Sequence, residues 1–393
     1  MEDRESLKHF IIRTLLFILN IVAAFALGWL IHGYLNPPEL DFPVLSEAYN
    51  ILIEHGLKDP PPDPAIEYGM AHGMVSAYGD PYTRFVEPPQ HEIESNNLAG
   101  SYGGIGASLR LDEENYVTLY PFPDSPAAEA GVQDGDRLVG VDDVTLTPEN
   151  PIDEVLSMVR GPEGEKVKIT VARPPDYENF EFSIKRANIP LPSVTWYLAP
   201  DEARLGVIQI NLIAATTPEE IENAVAELDQ QGAEKFALDL RNNGGGLLDE
   251  GVEIARLFLS NGIVIQEQSR GERLENYPVN RPGALADLPM IVLVNEYTAS
   301  AAEIIAGSIQ AHHRAQLVGT TTFGKDTVQL VFDLQDGSSM HITSANWWIP
   351  GLEFPTENGG LIPDIPLTED IAGADPALTL AIDCLFNDQA QLP

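Results

Sequence analysis

Apolar and polar positions alternate along this chain with several periods, and each period predicts a different element. Residues 14–38 contain no Asp, Glu, Lys or Arg, and residues 15–31 are almost wholly apolar. A run of that length matches a helix that crosses a bilayer. Residues 43–58 and 63–79 read as two helices separated by Pro60-Pro61-Pro62. Between 101 and 187 the pattern shortens. Extended stretches ASLRL, RLVGV and VKITVA are joined by two short helices. One helix starts at Ser125-Pro126 and stops at Gly131. The other carries Ile152, Val155, Leu156 and Val159 at i, i+3, i+4 and i+7. From 188 onward strand and helix alternate: RLGVIQINL, then a helix opened by Thr217-Pro218, then KFALDL, then LLDEGVEIARLFL. This alternation predicts an α/β core.

The richest stretch lies between 291 and 330. IVLVN is a short β-branched run, a buried strand. A tight connection leads to Ser300, and AAEIIAGSIQAHH then has helical spacing. AQLVG is a second strand. The loop TTTFGKD carries Lys325, and TVQLVFDL alternates as a third strand. A serine thus opens a helix just past a strand, and a lysine lies 25 residues on in the numbering, at the mouth of another.

Three chemistries fit that pattern. Ser300 with Glu303 makes the capping box S-x-x-E, a purely structural role. Gly319 to Lys325 matches G-x-x-x-x-G-K, but Asp326 stands where a phosphate loop needs Ser or Thr, and a strand follows where a helix is needed. The third is a Ser–Lys pair, in which a neutral lysine takes the serine proton. Among histidines, His312 and His313 sit about 18–20 Å along the helix from Ser300, too far to act on it. His72 and His341 remain open by distance.

The chain carries 60 acidic and 22 basic residues, for a formal charge of −38. That excludes nucleic acid as a partner and disfavours an anionic lipid surface. Cys384 is the single cysteine, so no internal disulfide forms. No metal-ligand spacing occurs, and no cofactor is expected.

VLVNEYTASAAEI followed by LVGTTTFGKDTVQ resembles the active-site region of the carboxyl-terminal processing peptidases, or tail-specific proteases. GMVSAYGDPYTRFVEP, DLRNNGGGLL and GLIPDI resemble further segments of that family, in its order, over roughly residues 43–385. The chain departs from the family at Gly244, usually proline, and at Asp326, usually glycine. The resemblance implies an α/β crotonase-like (ClpP-like) protease core with an inserted β-rich PDZ domain and, from the apolar run, an N-terminal transmembrane helix. The divisions expected are 1–40 for the cytoplasmic tip and anchor, 41–100 for a helical region, 101–187 for the PDZ-like domain and 188–393 for the protease core. It implies Ser300 as nucleophile, Lys325 as general base and Gln329 as the group orienting it.

Gly244-Gly245-Gly246 lies between strand and helix, where the Gly245 amide with that of Ala301 is expected to form an oxyanion hole. Four residues on a straight strand span about 13 Å, so Gln329 reaches Lys325 only if the chain bends there. In the PDZ-like part, Gly104-Ile105-Gly106 is expected to hold a peptide carboxylate, with Ile152, Val155, Leu156 and Val159 as the other wall of the groove. Asp80-Pro81-Tyr82-Thr83 is read as a structural turn.

The expected protein is a membrane-anchored extracytoplasmic serine endopeptidase acting on protein substrates with accessible C-terminal tails. Arg4, Lys8 and Arg13 before the apolar run set the N-terminus in the cytoplasm. A cleaved signal peptide ending near Ala24-Phe25-Ala26 is the competing reading of that segment. A catalytically silent, membrane-tethered PDZ-type binding protein on the same fold is the alternative for the whole chain.

Overall fold

The computed structural model describes residues 42–352, 359–367 and 375–387, together with Leu19 and Leu27. The expected anchor at 1–40 otherwise lies outside the described residues. No helix among the described residues is long and apolar enough to cross a membrane.

The described chain divides after Gly69 into two compact units. The first holds helix α1 (Pro43–His55), which begins on a proline suited to a helix's first turn. Helix α2 (Ala65–Tyr78) begins in the first unit and ends in the second.

The second unit opens with β1 (Arg84–Val86), α3 (Pro88–Ala99) and β2 (Ser101–Gly104). A β-rich domain follows, built from β3 (Ala107–Leu111), β4 (Val117–Pro121), α4 (Pro126–Ala130), β5 (Asp136–Val141), β6 (Val144–Thr145), α5 (Ile152–Val159), β7 (Lys166–Arg173) and β8 (Glu178–Lys185). Its strands run in the order β3-β4-β5-β7-β8, with β6 on β5. Ser125 caps α4 by accepting from the Ala128 N–H, and Gly131 ends it in the left-handed region, as the sequence predicts. Strand β9 (Ala187–Pro190) pairs antiparallel with β2, so the entry and exit of this domain lie side by side. That is the geometry an insertion needs.

The central sheet takes β10 (Val194–Ala199), β11 (Glu202–Ile210), β12 (Lys235–Asp239), β15 (Met290–Val294), β16 (Leu317–Gly319) and β19 (Ile365–Pro366), in that order. All pairs but β10–β11 are parallel. Helices α6 (Thr217–Gln230), α7 (Leu248–Phe258) and α8 (Ala301–Ala311) cover one face. Helix α9 (Pro376–Phe386) covers the other through Leu378 and Ala381. Burial on both faces explains why β15 reads as an unbroken apolar run: all five residues are buried.

A second sheet takes β1, β18 (Ser339–Trp348), β13 (Ile263–Ser269) and β14 (Glu275–Pro278) in that order, with β17 (Thr327–Asp333) also on β18. Here the alternation of the sequence misleads about burial. Leu330 and Phe332 of β17, and Leu334 just beyond it, are exposed, because β17 lies at the sheet's edge and, among the described residues, pairs with β18 alone.

Candidate active site

β12 and β15 are neighbouring parallel strands, and their carboxyl ends carry the glycine loop and Ser300. Crevices at the carboxyl ends of such strands are where open α/β sheets bind ligands. Ser300 has φ 56° and ψ −123°, a conformation that costs a non-glycine residue energy and recurs at active sites. Gly245, at φ 104°, packs on it. A Cβ there would lie 2.9 Å from Ser300 Cβ and 3.2 Å from the Ala301 nitrogen. Ala301 is the first residue of α8, so its N–H has no intrahelical partner by position. The Gly245 N–H, in contrast, donates to Asn243 Oδ1 at 2.8 Å. Its expected place in an oxyanion hole is therefore taken in this conformation by a side chain two residues back.

Glu303 is fully buried and organises the site. Its Oε2 accepts from the N–H groups of both Ser300 and Lys325, each at 2.9 Å. Its Oε1 accepts from Thr322 Oγ1 at 2.5 Å and from the Gly324 N–H at 2.7 Å. The main chains of the serine and the lysine thus meet on one carboxylate oxygen. Burial raises the Glu303 carboxyl above its ordinary range, and these hydrogen bonds offset that only in part. Three of the four partners are N–H groups that can only donate, so a proton on Glu303 could pass only to the Thr322 hydroxyl, reversing that bond. The capping reading caught one of the four contacts. The segment read as GLIPDI holds the same loop from outside, where Thr322 Oγ1 accepts from the Leu361 N–H at 2.7 Å.

Lys325 Nζ donates to Gln329 Oε1 and lies 5.1 Å from the centre of the Tyr82 ring. The bend that this contact needs is present. Lys325 and Asp326 precede β17, and the β17–β18 pairing slips between Val328 and Gln329. Burial, and then the positive charge of Arg84, push the Lys325 amine below its ordinary range. The carboxylates that pull the other way are Asp80 and Glu303 rather than the adjacent Asp326. Among the described residues no hydrogen bond joins Ser300 Oγ to Lys325 Nζ. Both line one cleft of about 230 Å³, with Ala301, Gln329, Gly244 and Gly246.

Among the described residues no hydrogen bond joins a histidine to Ser300. His312 caps the far end of α8. His72 is exposed and faces Glu87 at 3.4 Å. His341 borders the cleft, but its ring nitrogens face Arg84 at 3.3 Å and Ser339 Oγ at 3.1 Å. Sequence reasoning missed Asp80, Thr343 and Arg84. Asp80 in the turn read as structural accepts from Thr343 Oγ1 at 2.6 Å, and Thr343 accepts from Gln329 Nε2 at 3.3 Å. The only local signal was an Asp followed three residues on by a Thr, which the turn explains by itself.

In the β-rich domain, β3 is an edge strand with α5 packed beside it. The carbonyls of Ile105 and Gly106 accept from the Ala127 and Phe122 N–H groups, each at 2.8 Å, which pins the glycine loop after Gly104. Val155 and Val159, expected on the groove wall, are buried in the domain core, as is the Ile105 side chain. They lie side by side on the half of the apolar stripe of α5 that turns to the domain core. Ile152 and Leu156 stay partly exposed and are the residues of that stripe open to a ligand.

Residues 204–367 match peptidase family S41, and residues 120–173 match the PDZ domain. A carboxyl-terminal-processing protease of Picosynechococcus sp. is 35% identical over 330 residues, covering 81% of this chain and 78% of that protein. The chain belongs to peptidase family S41. A carboxyl-terminal-processing protease of Synechocystis sp. is 33% identical to the S41 chain over 364 residues, covering 88% of it and 84% of the relative. The carboxy-terminal processing protease CtpA of Bacillus subtilis is 31% identical over 307 residues, covering 78% of this peptidase and 65% of CtpA. The S41 chain is therefore a serine-type peptidase with a PDZ domain.

Proposed function

We propose that this S41 peptidase is a membrane-anchored, extracytoplasmic C-terminal-processing endopeptidase. It captures the C-terminal tail of a protein substrate in the groove between β3 and α5 and cleaves with Ser300 and Lys325. The observation that carries this reading is the meeting of the Ser300 and Lys325 N–H groups on Glu303 Oε2, beside a desolvated amine.

Neutral Lys325 takes the Ser300 Oγ proton as Oγ attacks the scissile carbonyl. The oxyanion that forms lies against the Ala301 N–H, and the Gly245 N–H joins it on leaving Asn243. Lys325 then returns the proton to the departing amine. Water enters and loses its proton to Lys325 as it attacks the acyl carbon, and Lys325 returns that proton to Ser300 Oγ as the acyl group leaves. Gln329 Oε1 holds one amine N–H, which turns the lysine lone pair toward the serine. The α/β core, by this reading, is crotonase-like, and the apolar run at 15–31 anchors it to the membrane.

The full chain in detergent is mixed with an unstructured polypeptide ending in apolar residues. Wild type is expected to cleave it, and Ser300→Ala and Lys325→Ala to bind the tail without cleaving. Wild-type protein that binds the tail and never cleaves it overturns the peptidase mechanism in favour of a silent tail-binding protein. Release of the chain from membranes by alkaline carbonate would remove the anchor.

A further inference from the structure

We propose that Thr343 and Asp80 are positioning residues of this reaction. Asp80, acting through the Thr343 hydroxyl, decides which end of the Gln329 amide faces the Lys325 amine. The inference rests on the Ser–Lys reading above.

The amide of Gln329 has two ends of similar shape and opposite hydrogen-bonding character. With Oε1 toward Lys325, it accepts an amine N–H and leaves the lone pair of a neutral lysine free. With Nε2 toward Lys325, it would donate into that lone pair and occupy the only site at which the base can take a proton. The direction of the amide therefore matters to catalysis, and something must set it.

In the structure Gln329 Nε2 lies 3.1 Å from Thr327 Oγ1 and 3.3 Å from Thr343 Oγ1. A hydroxyl can donate or accept, so neither threonine selects an orientation unaided. Thr343 has one proton, and its oxygen lies 2.6 Å from Asp80 Oδ2. The same Asp80 oxygen receives Thr83 Oγ1 at 2.5 Å and the Thr83 N–H at 2.8 Å. Burial opposes the charge on Asp80, but the hydrogen bonds from Thr343, Thr83 and the Tyr82 amide outweigh it and hold the carboxyl below its usual range. An ionised carboxylate only accepts. The Thr343 proton must therefore point to Asp80, and the Thr343 oxygen is left to accept from Gln329. The chain has one direction throughout: Lys325 N–H to Gln329 oxygen, Gln329 N–H to Thr343 oxygen, Thr343 O–H to Asp80. The slip in β17–β18 pairing sets Thr343 opposite Gln329, and the pairing of β1 with β18 keeps the Asp80 turn beside it.

The charge of Asp80 works against the base, because a nearby carboxylate favours protonated lysine. Its use must then be geometric. An electrostatic role and a positioning role thus predict opposite results when Asp80 is removed.

The full chain in detergent is compared with Thr343→Val, Thr343→Ser and Asp80→Ala by single-turnover acylation across neutral and alkaline pH. Thr343→Val is expected to lower the limiting rate by at least about ten-fold, with tail affinity and the pH midpoint unchanged. Thr343→Ser is expected to restore the rate. Asp80→Ala is expected to lower the limiting rate even as its pH midpoint moves down. A limiting rate in Thr343→Val equal to wild type overturns the proposal, as does an Asp80→Ala enzyme faster than wild type at every pH. If Asp80→Ala fails to fold, the Val and Ser pair decides. To separate this inference from the Ser–Lys reading, Lys325 is labelled with an acylating reagent in a Ser300→Ala background. Slower labelling with Thr343→Val supports the positioning role even if the native chain cleaves nothing, and equal labelling overturns it.

Discussion

Replacing Glu303 by Gln changes one oxygen to an amide and little else, and four donors now aim at that side chain. Glutamine offers one accepting end. If its NH2 turns toward Thr322 and Gly324, the Gly324 N–H loses its acceptor. If it turns the other way, the N–H groups of Ser300 and Lys325 both lose theirs. At about 1–3 kcal/mol for each buried donor left unpaired, plus the loss of charge-assisted strength, the substitution costs about 2–4 kcal/mol. Glu303 is fully buried, so solvent does not screen this loss. A carboxylate that only capped α8 would be worth about 1 kcal/mol and would leave turnover unchanged. Urea unfolding gives the stability, and single-turnover cleavage gives the rate. The expectation is a lowered midpoint at unchanged m together with a fall in acylation rate, while tail affinity stays at the wild-type value. Lost stability with an unaltered acylation rate would return Glu303 to the role of a helix cap and refute the argument that it ties serine to lysine.

Lys325→Met should abolish cleavage and raise stability by about 1 kcal/mol, since it removes a desolvated amine. Because the folded amine titrates below the ordinary lysine value, wild type carries the full penalty below its folded pKa and none above the unfolded one. The gain, read by thermal melts at several pH values, should therefore be largest below the folded pKa, shrink as pH rises through it and vanish as pH passes the unfolded lysine range. Arg241→Ala strands Asp239, which is 2% exposed and held at 2.8 and 2.6 Å, and also frees Asp375 at the start of α9. A loss of about 3–5 kcal/mol is expected, and a urea midpoint within error of wild type would contradict it. Gly246→Ala, at φ 153°, would drive a Cβ into the Ile213 carbonyl, so about 1–3 kcal/mol should be lost on unfolding, with no change in PDZ-domain tail affinity.

Much of the scaffold was legible in order along the chain. The β15 run, the helix after Ser300, the amphipathic α5 and the Ser125 cap each depend on residues within a turn or two of one another, and local spacing encodes them. The family motifs likewise carried Ser300, Lys325 and Gln329, because each motif is contiguous. The reading failed where a partner lies far away in sequence. Asp80 meets Thr343 across 263 positions, so its turn looked sufficient in itself. Burial on α5 failed for a different reason: a stripe of four apolar residues has two sides, and only the packed sheet shows that Val155 and Val159 lie on the covered one.

The sequence by itself determined which chemical groups stand at the ends of β12 and β15, because strand, turn and helix-start signals are local. Only the tertiary structure decided what those groups do with their hydrogen bonds. It directs the Gly245 N–H to Asn243, brings the Ser300 and Lys325 amides onto one buried oxygen, and points the Gln329 amide by way of Asp80. A donor's choice of acceptor depends on distance and direction in space, and linear order carries neither.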